Sequence, residues 1–279
     1  MSRQKIDRAE RLLEKSMGLV KKGRFNEALK TFSEAEKFAV ESGNPYILYN
    51  VLYARGSFMQ ALRLHRDALG LYERASEAAE GMIAVDPGNV DAQTCVAAVN
   101  NNLGTLKKEL KQPEEAGKHF ERALKMLEKL LEKDSGNSTY LTHLGMASNN
   151  LGNLYSELGE TENSEKQFRR ALETYGELLA KEPENNLYQS YLGTAYMNFG
   201  VMQGKNGFKE EAEQNMVKAL EIRGKLLASD QENQGYKADY DTTLEKLREL
   251  REKGKLEDKA EEKKAEEKSE EKTEEKNER

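Results

Sequence analysis

Tryptophan is absent from the 279 residues, cysteine occurs once, histidine three times and proline four times. One cysteine, Cys95, builds no disulfide framework. It lies in the apolar stretch TCVAAV and reads as a small core residue rather than a reactive thiol. His65, His119 and His143 are far apart and stand in no metal-ligand spacing, so no metal site is expected. Glycines are dispersed, with no G-x-G-x-x-G or P-loop run to cradle a phosphate, and no cofactor is expected. No run of 18 uncharged apolar residues exists, which predicts no membrane span. The first ten residues, MSRQKIDRAE, are charged and carry no apolar core, so no secretory signal is expected and the reading is cytoplasmic. A net charge of −6 argues against a nucleic-acid surface. No paired nucleophile and base, and no acid–base constellation, is found; the chain is not read as an enzyme.

What is present is helix-forming and repetitive. Charged residues make up 34% of the chain, and Ala, Glu, Leu, Lys and Arg together exceed half of it. Gly56, Gly104, Gly152 and Gly200 are each 48 apart. Twelve residues after each stand Ala68, Ala116, Ser164 and Ala212; four further on, Tyr72, Phe120, Phe168 and Met216; three further on, Ala75, Ala123, Ala171 and Ala219. An acidic residue followed three later by Asn also recurs at 48: Asp86/Asn89, Asp134/Asn137, Glu182/Asn185 and Asp230/Asn233. A shorter unit, offset by 40, precedes these with Ser16, Ala28, Phe32 and Ala35.

Each copy predicts two helices. Gly23, Gly159 and Gly207 suit the left-handed position after the first helix; elsewhere Pro113 or Arg63–Leu64–His65 occupies the turn. Asn89, Asn137, Asn185 and Asn233 are good N-caps for the next first helix. The central Gly and the Ala twelve later are expected where the two helices cross closely, with the aromatic filling the space towards the next pair. No single pair can bury its apolar face, so stacking supplies the core.

The run NNLGNLYSELGETENSEKQFRRALE resembles the tetratricopeptide repeat: Leu151, Gly152, Tyr155, Gly159, Ser164, Phe168 and Ala171 stand at its signature positions. The resemblance covers roughly residues 3–253. The longer units, and the N-N-L-G run, are similar to the kinesin-light-chain-like branch. The fold implied is all-α: a right-handed α-solenoid of about five antiparallel helix pairs with the first helices lining a concave groove. The units fall at about 3–43, 45–85, 89–134, 137–182 and 185–230, with a C-terminal capping helix at 233–253. Residues 254–279 are charged, have little to bury and are expected to be disordered.

The resemblance also implies function: a scaffold whose groove binds a protein or peptide. An Asn amide pairs a backbone N–H and C=O together whatever the ligand side chain, and Asn102, Asn150 and Asn198 recur at 48 two residues before the packing Gly. Asn101, Asn149, Asn153, Thr105 and Lys205 lie beside them as candidate peptide-binding residues. The first two units carry Glu14 and Ala54 instead, so the N-terminal end should bind differently or not at all. The bland alternative is that these Asn bridge neighbouring helices. Two other roles are weighed: a self-associating, homo-oligomeric subunit, and a co-chaperone adaptor gripping an acidic C-terminal carboxylate. For the latter, Asn153, Asn198 and Lys246 fit three clamp places, while Asn149 and Thr242 stand where Lys is expected.

Overall fold

The computed structural model describes the backbone of residues 2–277 and the side chains of residues 2–255. Among the described residues there are eleven α-helices and no strand. The chain forms two compact units, Met1–Leu158 and Gly159–Arg279. In the first unit α1 (Ser2–Lys21) pairs with α2 (Phe25–Ser42), α3 (Pro45–Ala61) with α4 (His65–Val85), and α5 (Val90–Glu109) with α6 (Pro113–Lys133). There α7 (Ser138–Leu158) packs on α6 and α5, and the first helices also touch in sequence, α1 with α3, α3 with α5 and α5 with α7. In the second unit α8 (Thr161–Lys181) packs on α9 (Asn186–Lys205), α9 on α10 (Lys209–Ser229), and α11 (Gln234–Asn277) on α10 and α9.

Asparagine starts the first helices. Asn44 Oδ1 accepts from the N–H groups of Tyr46 and Ile47, Asn89 from Ala92, Asn137 from Thr139 and Tyr140, and Asn185 from Leu187 and Tyr188. Asn233 does the same for Gly235 and Tyr236. Each such cap is worth about 1 kcal/mol. The acidic residue three before anchors the turn: Asn185 Nδ2 donates to Glu182 at 2.8 Å and Asn137 Nδ2 to Asp134 at 3.0 Å.

First helices end in a left-handed residue. Gly23, Gly159 and Gly207 take positive φ, and so do Arg63 (φ 60°) and Lys111 (φ 62°) at the same register. The following residue closes the helix end: the N–H of Leu64 donates to Met59 O, and that of Gln112 to Lys107 O, both at 2.9 Å. At the two turns expected without a glycine, a side chain thus takes a conformation costing roughly 1–2 kcal/mol.

Packing follows the repeat. Ala68, Ala116, Ser164 and Ala212 are fully buried, as are Tyr72, Phe120 and Phe168. The central glycines face those rings: a Cβ on Gly104 would stand 2.6 Å from Phe120 Cε1, and one on Gly56 2.9 Å from Tyr72. The expected close neighbour, the Ala twelve later, is met at Gly200, where a Cβ would stand 2.9 Å from the Ala212 carbonyl and 2.9 Å from Met216 Cγ. The aromatic thus sits against the glycine of its own pair as well as reaching the next first helix, as in the Phe32–Phe58 stack at 5.8 Å.

At the end of the second unit the core turns polar. Arg223 is 4% exposed, at the register of Tyr175, Leu127 and Ala79, all core residues. Its Nη1 donates to the Asp239 carbonyl at 2.9 Å and to the Thr243 hydroxyl, and its Nη2 to Thr194 Oγ1 at 3.1 Å. Burial lowers the guanidinium's pKa. From there α11 runs to Asn277. The final two residues lie outside the described residues.

Candidate interaction surface

The Asn register lies on the first-helix face, and the structure shows what those amides do. In the first unit Asn102 (α5) is half-buried and its Nδ2 donates to the Tyr72 hydroxyl at 3.2 Å. Tyr72 in turn lies 3.0 Å from Ser57 Oγ and 3.1 Å from Gln60 Oε1 on α3. Burial raises the Tyr72 phenol's pKa, so it remains a neutral donor. Asn150 (α7) donates to Asn101 Oδ1 at 3.0 Å and to Thr105 Oγ1 at 3.4 Å on α5. Lys108 reaches Glu157 at 2.9 Å, and Gln60 reaches Glu109 at 3.4 Å. The polar side chains therefore bridge α3 to α5 and α5 to α7.

The candidate residues separate by exposure. Asn101 and Asn149 are buried, at 4% and 8% exposed. One residue is about 100° of helix, enough to move a side chain from face to interior. Asn102, Asn150, Asn153 and Thr105 are half-buried on the face. In the second unit Asn198 is half-buried and Lys205 exposed, both on α9. Of the carboxylate-clamp places, Lys246 carries an ion pair with Glu249 at 2.8 Å.

Two clefts open on this face, one in each unit, at the same register. In the first, Met17, Val20 and Lys21 of α1 face Tyr53, Ala54 and Phe58 of α3 across a cavity of about 420 Å³, with Phe32 beneath. In the second, Val201, Gly204 and Lys205 of α9 face Lys246, Leu250 and Lys253 of α11 across about 380 Å³, with Met216 beneath. One cleft is apolar and the other ringed by lysines. Composition alone did not signal them; the repeat register, followed through Met17, Ala54 and Phe58, would have.

Elsewhere the titratable groups belong to the fold. Cys95 is buried, and burial pushes its thiol up to about 11. His119 Nδ1 lies 2.9 Å from Asn100 Oδ1, and burial lowers the pKa of both His119 and His143. Among the described residues no three His, Cys, Asp or Glu side chains converge as a metal site, and no helix is long and apolar enough to cross a membrane.

Residues 95–177 match the family model described as tetratricopeptide repeat. No curated protein matches the chain. Among solved structures, BtubC (BKLC) from P. vanneervenii is similar at 20% identity and TM-score 0.54, covering 81% of this chain and 92% of that one. A Podosopora anserina putative kinesin light chain with TPR-like repeats is similar at 14% identity and TM-score 0.55, covering 79% and 97%. Pseudomonas aeruginosa pilF follows at 16% identity and TM-score 0.52, covering 88% and 93%. These likenesses show the fold, an all-α solenoid of paired helices.

Proposed function

We propose, for a chain whose residues 95–177 match the tetratricopeptide repeat and whose fold is that of proteins with such repeats, a role as a non-catalytic scaffold that holds an extended segment of a partner protein on its first-helix face. The observation that carries this reading is the amide row of the first unit. Asn102 and Asn150 are fixed by donating from Nδ2 to a neighbouring helix, and each stays half-exposed with its carbonyl oxygen facing no described donor. A fixed acceptor costs little further ordering when a peptide N–H arrives. Thr105 and Asn153 stand beside the row, and Asn101 positions Asn150 from below. Asn198 and Lys205 offer the second unit's own contacts, Lys205 from the rim of the lysine cleft.

The test compares partners captured from native lysate by the wild type and by Asn102→Ala/Asn150→Ala, read by mass spectrometry beside thermal melting. Each amide also links helices, so the variant is expected to lose about 1 kcal/mol per hydrogen bond and remain folded. Loss of partners by the folded variant supports the reading. An unchanged partner set removes the amide row from it.

A further inference from the structure

The cleft between α1 and α3 is open and apolar where the fold does not require it to be. Its second-unit counterpart carries Lys246, Glu249 and Lys253 at the register of Ala54, Ser57 and Ala61, and the bridges from α3 to α5 and from α5 to α7 are polar. Met17, at its rim, is 49% exposed, and Phe25, 5.6 Å from Phe58, is 44% exposed. An apolar surface that the described residues leave uncovered is a candidate place for another chain to bind.

The lining decides the backbone state of what is bound. Its uncharged hydroxyls are those of Ser57 and Tyr53; Ser57 is already engaged, donating to Tyr53 O at 3.0 Å and standing 3.0 Å from the Tyr72 hydroxyl that donates to it, and the rest of the uncharged lining is apolar. An extended segment pressed into this cleft would bury most of its main-chain N–H and C=O groups without partners, each costing about 1–3 kcal/mol. A helix satisfies its own backbone and presents side chains only. The cleft is itself the groove between two neighbouring helices, and Lys21 is the one charged residue in its lining. We propose that this cleft is a second docking site, distinct from the amide row, and that it takes an amphipathic helix of a partner protein with bulky apolar residues at three- and four-residue spacing and an acidic residue against Lys21.

The test sorts two displayed peptide libraries against the full chain, one on a helical scaffold and one held extended by flanking prolines. The helical library should enrich apolar residues at three- and four-residue spacing ending in Asp or Glu. A synthetic peptide of that sequence, followed by fluorescence anisotropy, should bind about tenfold more weakly to Met17→Glu, at a half-exposed site that leaves folding intact. Lys21→Glu should reverse the preference for the acidic end, and Asn150→Ala, whose partners Asn101 and Thr105 lie outside the cleft, should leave binding unchanged. Enrichment from the extended library alone, no enrichment from either, or binding indifferent to both Met17→Glu and Lys21→Glu would each overturn the site. Because Asn150→Ala probes the amide row separately, failure here leaves that row standing, and the reverse.

Discussion

Arg63 and Lys111 show how much a single backbone conformation conceals from a sequence. Both stand where Gly23, Gly159 and Gly207 stand in the other units, and all five take positive φ. The strain is local, and each residue is exposed, so little packing depends on its side chain. Lys111→Gly should therefore stabilise the first unit by about 0.5–1 kcal/mol, the relief of a left-handed side chain less the added freedom of the unfolded chain. Urea unfolding of wild type and variant measures it, and an unchanged or lowered midpoint would show that the Lys111 side chain contributes what its backbone costs. The Asn caps, by contrast, were legible because an acidic residue three earlier and a helical run after it recur at a fixed interval. The partners of Asn102 and Asn150 were not, because Tyr72 and Asn101 lie 30 and 49 residues away and meet them only through helix packing.

At the scale of the element, α11 shows how the array's last interface differs from those before it. Thr243 stands at the register of Val51, Val99, Ala147 and Ala195, all fully buried and apolar, and it is fully buried too. Arg248 and Glu252 replace Gly200 and Gly204, so the face on which a further second helix would pack is charged. The Arg223–Thr243 contact gives that interface a chemical signature that an apolar face lacks, which fixes where α11 docks. Specificity of this kind need not add stability, since burying a guanidinium costs about what its hydrogen bonds return. Thr243 and Thr194 also donate to the carbonyls of Asp239 and Ser190, so neither hydroxyl is orphaned by losing the arginine. Arg223→Met should then change unfolding stability by no more than about 1 kcal/mol while loosening α11. Hydrogen exchange reads both quantities: slow core amides in α9 and α10 stay protected, and residues 234–250 exchange faster. A loss above about 2 kcal/mol would mean that the polar network carries net stability.

On the scale of the whole chain, the two units differ in their imidazoles. All three histidines lie in Met1–Leu158 and none in Gly159–Arg279. His119, on α6, has its pKa lowered first by burial and then by the neighbouring charges of Lys107 and Arg122, against a smaller opposing pull from Glu115. His143, on α7, is lowered by burial alone. For both, the folded state binds the proton less readily than the unfolded state, whose imidazole titrates near 6.5. Their stabilising contribution is thus complete above that value and declines as the pH falls through it towards the lower, folded-state pKa. The carboxylates of Glu27 and Glu115 are also lowered, but from 4.5, so they act only in more acid solution. Between pH 7.5 and 5.5 the first unit should lose amide protection while the second keeps it. His119→Gln with His143→Gln, neutral at every pH, should flatten the first unit's response. Equal losses in both units, or a response that survives the double substitution, would place the acid sensitivity elsewhere than in these two imidazoles.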